Sequence, residues 1–550
     1  MSFRSWVSAA VLYAAAALPI YSQSKSASAI PHLERRGDAT QLIVDGKPFL
    51  ALGGELHNNA ATSLEYMKPI WPRLTAMHLN TVLTPISWAL LEPSEGKFDY
   101  TLVDGLVRDA RSHNLRLVLL WFGSWKNTWS SYAPDWVKRD FQRYARVQLR
   151  NGSGTERLSP FCDDNRKADA HAYAALMRRI REIDSNDHTV IMVQIENEVG
   201  VIPDARDHSP AANAAYDQPV PKELMEYLQK HKDALDPVLR ARWQSAGFKT
   251  SGNWETVFGE GLTTEDLFMA WHYARYIGKV AEAGKAEYDL PMFANAALIR
   301  PDYAPGQYNS GGPLPHSIDI WRAGGPQLDF IAPDIYFEFK KWCEQYDRPG
   351  NPLFIPEAAG ETQGAGNVFY AVGAHNAFGF SPFAVEAMGP SGADLARSYD
   401  VLSQLAPMIL ENQTKSRVAG VLLEDLTPSQ KIVLGGYTLN LQGAGGRRPV
   451  AGAPPEPGAG ATAQRPHGIF IATGPDEFYM AGSGLSVTFT PNTPGPPIVG
   501  LGTVEEGRFV DGKWVRGRTL AGDDTGQGNN ISLRGGPDAG ILRVTLYRYR

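Results

Sequence analysis

Cysteine is scarce: Cys162 and Cys343 are the two in 550 residues. Two thiols build neither a disulfide framework nor a thiolate zinc cage. They lie far apart along the chain, and pairing and two free thiols both stay open. Positive charge is not in excess either. Fifty-three Lys and Arg face 59 Asp and Glu, a net charge of −6. That removes the electrostatic case for nucleic acid or an anionic membrane as main partner. His-Glu-x-x-His is missing, as is any other spaced set of metal ligands. No glycine-rich phosphate loop follows a strand pattern, and no internal repeat is present. Past Ile20 no apolar run reaches the roughly 20 residues a membrane span needs. The mature chain is therefore expected to use no cofactor and no metal, and to bind no nucleic acid.

What is present is ordinary globular composition, 43% hydrophobic and 20% charged, with enough apolar mass for a large core. At roughly 100–200 residues per domain the length implies two to four domains, although an α/β barrel uses about 250 in one. The first residues have their own texture. Arg4 precedes an apolar run from Trp6 to Ile20, then small and polar residues lead to Ala27, Ser28 and Ala29. This is the layout of a signal peptide over 1–29, with a secreted or periplasmic chain starting near Ile30. Asn151, Asn412 and Asn530 head glycosylation patterns, which matter only in a eukaryotic secretory host.

From about 40 to 410, short apolar runs alternate with helix-period stretches. The strand candidates are 49–56, 81–87, 115–121, 190–195, 291–297, 330–336, 353–356 and 378–385. Helices are expected over 63–77, 100–113, 168–183, 265–286, 318–323, 337–346, 368–375 and 394–411. Apolar strands, each followed by a helix, predict a parallel sheet buried on both faces. Eight such units predict a closed (β/α)8 TIM barrel over 30–412, with a doubly wound open sheet as the alternative. The connection from Gly200 to about Thr264 is long enough to be functional and is expected over the barrel mouth. Beyond 413 the texture becomes all-β: strand-like runs at 418–423, 431–441, 468–473, 486–490, 498–503, 515–520 and 541–548 predict a smaller sandwich-like domain. A Gly/Pro-rich loop interrupts it near 443–466.

Two carboxylates stand out by position. The apolar run from Ile191 ends in Glu196, Asn197 and Glu198; that from Pro352 ends in Glu357. An ionised group is costly in low dielectric, so carboxylates at the tips of apolar strands need a reason. At the C-terminal ends of strands four and seven they would face the barrel mouth. Two Glu residues converging there are what glycoside hydrolysis requires, one protonated to donate and one ionised to attack. Alternation does not choose between Glu196 and Glu198, because residues two apart share a face. Trp121, Trp125 and Trp129 cluster after strand three, and Tyr336 ends strand six. An aromatic ring suits the apolar face of a pyranose; core packing is the plain alternative, preferred for Trp121. His57 and His272 are the histidines closest to predicted strand ends or the mouth.

The chain resembles β-galactosidases of glycoside hydrolase family 35. The resemblance rests on Gly53, Gly54, Glu55, Leu56 and His57; on Trp88 with the segment from Glu92 to Asp99; and most strongly on Gln194 to Gly200. It implies a retaining exo-β-galactosidase with Glu198 as acid/base and Glu357 as nucleophile. Asn197 would hold the sugar 2-hydroxyl, and Tyr336 would bond the nucleophile. Asn127, Lys126, Trp125 and Glu55 complete the expected sugar contacts; Glu196 serves there or as a supporting carboxylate behind them, and Glu92 there or as a plain strand-end charge. The chain departs from the family pattern around Glu92 and over Phe122 to Asn127, which bears on the choice of sugar. The expected partner is a β-galactoside, and a homo-oligomer is compatible with the composition. Rival readings are an endo-glucanase or mannanase of the same clan, and a dead barrel that only binds carbohydrate.

Overall fold

The computed structural model describes residues 30–360, 362–389, 391–424, 428–443, 465–534 and 540–550. The expected leader, 1–29, and most of the Gly/Pro-rich stretch lie outside these residues. Among the described residues no helix is long and apolar enough to cross a membrane. Cys162 and Cys343 are not disulfide-bonded.

Eight strands form the barrel: β1 (Ala51–Leu52), β2 (Thr81–Ser87), β3 (Arg116–Lys126), β4 (Val190–Asn197), β5 (Met292–Ala297), β6 (Phe330–Ile335), β7 (Ile355–Ala358) and β8 (Gly379–Pro382). All neighbouring pairs are parallel. The sheet closes where Leu83 N–H donates to Gly54 O (2.9 Å) and Leu56 N–H to Leu83 O (3.0 Å). The fold is therefore a (β/α)8 barrel. Its helices show why they pack outside: in Thr101–Ser112, Val103, Leu106, Val107 and Ala110 are buried at helical spacing and face the strands.

Four phenylalanines fill the N-terminal end of the barrel. Phe293, Phe330, Phe354 and Phe378 start β5, β6, β7 and β8 or immediately precede them, with neighbouring ring centroids about 5 Å apart. Leu42 and Val44 join this cluster from a three-stranded antiparallel sheet of His32–Arg36, Ala39–Val44 and Lys47–Phe49. That sheet was not expected; the first predicted strand merged its last residues with β1. Apolar side chains thus close the N-terminal end of the barrel.

The C-terminal part has two antiparallel sheets. One holds Val418–Leu422, His467–Ala472, Glu477–Ser483, Ile541–Tyr549, Ile498–Val510 and Lys513–Leu520 in that spatial order; the other holds Ser429–Leu434, Tyr437–Gly443, Leu485–Pro491 and Ile531–Leu533. Leu439, Phe470, Phe478, Met480, Val487 and Val544 fill the space between them. Alternate residues of the six-stranded sheet, Ile469, Ile471, Tyr479 and Ile541, join the core of the barrel instead. The helix Thr362–His375 lies so close to Val418–Leu422 that a Cβ on Gly373 would come within 2.6 Å of Gly420 backbone. The predicted single strand over 431–441 is a hairpin turned at Gly435 and Gly436, and the strands at 477–483 and 531–533 were not foreseen.

Candidate active site

The mouth is built where β3 and β4 fall out of step. Trp121 pairs with Ile195, yet the next pair is Lys126 with Asn197. β3 thus carries extra residues between the two pairs, a bulge of the kind found beside active sites. Glu196 and Glu198 both adopt left-handed backbone, with φ of 59° and 46°. Non-glycine residues hold that conformation only when their surroundings enforce it. The enforcement is visible: Glu196 accepts the N–H groups of Ser124 (3.0 Å) and Trp125 (2.6 Å) from the bulge.

Of the readings open for Glu196 and Trp125, the structure places both in the wall and neither at the sugar-facing mouth. Glu196 is fully buried in the wall beside Asp169, and its job is to bond the surplus backbone of β3. Trp125 is also buried, packed edge-on against Tyr273 and Tyr276, with its Nε1 donating to Leu158 O. Simple alternation fails here because the left-handed residue at 196 sends its side chain outward while 197 and 198 face the mouth. Trp121 is core, its indole N–H bonded to Asp169. Trp129 stands exposed at the rim with Arg157 over its ring. Glu92 is buried and accepts from Trp88 Nε1 and Gly96 N–H, so it braces its own turn. His272 is sealed between Phe161 and Phe268, and burial depresses its pKa to about 3. His57 is exposed, with its backbone N–H on Glu386.

At the centre of the mouth, carboxylate oxygens of Glu198, Asp334 and Glu357 lie within 4.8 Å of one another. Glu357 Oε1 accepts the Tyr336 hydroxyl, and Tyr336 remains open to the mouth. Glu357 Oε2 is buried without a partner among the described groups. Lys126 Nζ donates to Asn127 Oδ1 and to Asn197 Oδ1, both at 2.9 Å. Those bonds fix the Asn197 amide and leave its Nδ2 buried and unpartnered. Glu55 is buried beside Glu357, again with one oxygen unpartnered.

Burial and crowding set the proton affinities. Two ionised carboxylates at the 4.8 Å limit repel by about 3.5 kcal/mol at an effective dielectric near 20. Burial, then the negative charge of Glu357, pushes Glu198 up to about 7; Lys126 and a bond from Asp334 pull the other way. Burial, then Glu357, holds Glu55 well above the usual carboxylate range, and the same causes raise Asp334. Burial opposes the charge on Lys126, but Glu357, Glu198, Glu55 and Asp334 outweigh it and keep the ammonium strongly protonated. The site therefore sets an acid with a near-neutral pKa beside a carboxylate, with a cation and a free amide at hand.

Asp334 and Asn295 were missed by the sequence reading. Asn295 links β5 and β6 to the acid: its Nδ2 donates to Asp334 Oδ2 (2.6 Å) and its Oδ1 accepts Glu198 N–H (3.0 Å). The signal was available, since Asp334 interrupts an apolar strand just as Glu357 does. A cavity of about 1030 Å³ exists elsewhere, between Tyr227, Trp342 and Arg348, but its Asp236 is already paired with Arg348 at 2.8 Å.

Comparison with known proteins bears on this region. The family model described as β-galactosidase, that of glycoside hydrolase family 42, matches residues 63–257. Over that segment the likeness is to β-galactosidases. The matched family is 42, which corrects the expected family 35. A domain described as of unknown function matches 395–532. A β-galactosidase of Xanthomonas manihotis is 29% identical over 176 residues, which is 31% of this chain and 27% of that relative. The match thus spans about a quarter of that protein. A cold-adapted β-galactosidase from Rahnella sp. R3 superposes with a TM-score of 0.46 at 17% identity, covering 66% of this chain and 57% of that one. The β-galactosidase of Bacillus circulans sp. alkalophilus gives 0.45 at 14%, with the same coverages, 66% and 57%. The catalytic domain of a β-amylase from Paenibacillus polymyxa gives 0.43 at 13%, covering 62% and 94%.

Proposed function

We propose that the chain is a retaining exo-β-galactosidase, acting outside the cytoplasm on terminal β-D-galactosyl residues. One observation carries the reading: Glu198 and Glu357 meet across the mouth with oxygens within 4.8 Å. A retaining pair stands about 5–5.5 Å apart, whereas an inverting pair needs about 6.5–9.5 Å to admit water between them.

In this reading Glu357 attacks the anomeric carbon while Glu198 protonates the departing oxygen. Tyr336 holds Glu357 through its hydroxyl bond and steadies its orientation. Ester formation removes the Glu357 charge that helps keep Glu198 protonated. Glu198 then becomes a better base, takes a proton from water, and the hydroxide cleaves the ester. The same group thus serves as acid and base because its neighbour changes charge between the steps. Asn197, its oxygen occupied by Lys126, offers the free Nδ2 to the sugar 2-hydroxyl. The choice of galactose is supported by the likeness over 63–257, and export by the apolar run after Arg4.

Hydrolysis of an aryl β-galactoside followed by proton NMR tests the proposal. The β-anomer of galactose is expected first, and Glu357→Gln is expected to abolish turnover. Binding without turnover in the native protein would make this a dead barrel. Turnover of aryl glucosides or mannosides but not galactosides would replace the sugar and keep the mechanism.

A further inference from the structure

Four carboxyl groups, Glu55, Glu198, Asp334 and Glu357, share the mouth, and among the described residues Lys126 is the cation set among them. Charge balance in a buried site then leaves room for about one carboxylate; the others must carry protons. Hydrogen bonding marks the Asp334 oxygen on which one of these protons has room. Asn295 is oriented by Glu198, whose N–H occupies its Oδ1. Its Nδ2 must therefore face Asp334 Oδ2, and that oxygen is an acceptor. Asp334 Oδ1 is buried and has no other partner among the described groups. A Glu198 carboxylate oxygen lies within 4.8 Å of an Asp334 oxygen, close enough for a small rotation to bring the two into bonding distance.

We propose that Asp334 is a positioning residue that keeps its own proton on Oδ1 and donates it, as a hydrogen bond, to the Glu198 carboxylate once Glu198 has protonated the leaving group. No net proton passes to Glu198. The bond aims Glu198 at the incoming water and prevents two bare carboxylates from meeting after the first step. The groups facing Asp334 agree with a neutral form. Glu357, Glu198 and Glu55 are the carboxyl groups that face it, with the Glu357 charge foremost; Tyr346 is buried nearby, and Lys126 answers from β3. Burial and these neighbours hold the Asp334 carboxyl well above the usual range. The assignment rests on the acid/base role proposed for Glu198, but the proton on Asp334 is observable without turnover.

Infrared spectroscopy of the full chain at neutral pH provides the first test. A protonated-carboxyl band is expected that shifts when aspartate is carbon-13 labelled and vanishes in Asp334→Asn. A spectrum with no aspartate-derived protonated band would overturn the proposal even if the protein hydrolyses no galactoside. The pH profile of aryl β-galactoside hydrolysis is the second. Asp334→Asn stays neutral and keeps a donor, so its alkaline limb is expected to stay within about 0.3 pH unit of the native one. Asp334→Ala removes the donor; its limb should move to higher pH, with kcat falling more than kcat/KM. If Asp334 were ionised, the Asn variant would delete a neighbouring charge and move the limb about a unit lower instead. Native protein inactive on every glycoside would sink the galactosidase reading and leave the infrared result to decide Asp334.

Discussion

Glu357→Gln replaces a charged carboxylate by a neutral group of the same shape. Glu198 is pushed up to about 7 by burial and by the Glu357 charge, so the variant should release part of that shift. Taken at the 4.8 Å limit, the two charges interact by about 3.5 kcal/mol at an effective dielectric of 20, and by about 0.9 kcal/mol at 80. At 1.36 kcal/mol per unit, the Glu198 pKa should fall by between about 0.6 and 2.5 units. The half-buried position of Glu198 favours the middle of that range, a fall of about 1–2. Carbon-13 NMR of glutamate-labelled protein measures this directly, with Glu198→Gln assigning the resonance. Trapping the native protein with a 2-fluoro galactosyl donor neutralises the same charge and should give a fall of similar size. If Glu198 titrated at an unchanged pH in both, charge coupling between the carboxyls would be refuted, and with it the account of how one residue alternates between acid and base. In the active native protein the sign is also defined: Glu198 must be protonated, so kcat/KM should decline as pH rises through about 7.

Tyr336→Phe deletes the hydroxyl bond to Glu357; a bond to a charged group is worth about 1.5–3 kcal/mol, so kcat should drop roughly 10- to 150-fold while the circular dichroism spectrum stays native. Lys126→Met removes the cation that restrains Glu198 and orients Asn197, so steady-state profiles should show the alkaline limb moving upward and kcat/KM falling. Glu196→Ala leaves the Ser124 and Trp125 N–H groups unbonded, at about 1–3 kcal/mol each; thermal melts should register the loss, and an unchanged melting temperature would contradict the bracing role. Phe330→Ala opens the plug at the barrel floor and should cost about 3–5 kcal/mol in denaturant unfolding, with KM unaltered in the folded fraction.

How the barrel came to be legible is plain from its strands. Val190–Asn197 is buried at every position, as expected for a strand covered on both faces, and its apolar run from Val190 to Val193 marks it at once. The carboxylates at 198 and 357 were visible for the same reason, because charge at the end of such a run is expensive. The small sheet from His32 to Phe49 was not visible. Its outer strands are short and half exposed, and the plug formed by Leu42 and Val44 of the middle strand against four distant phenylalanines gives it a purpose.

Local chemistry in the chain thus determined the barrel, its all-β companion and the two acidic strand ends, since periodicity and the penalty for buried charge act over a few neighbours. Tertiary structure alone decided which acids face inward. The bulge in β3 and the left-handed turn at Glu196 send one carboxylate into the wall and the next into the mouth. Asp334 and Asn295 joined the site for a similar reason: bonds between β4, β5 and β6 form only when residues about 40 to 100 positions apart are brought side by side, and no pattern along the chain records that meeting.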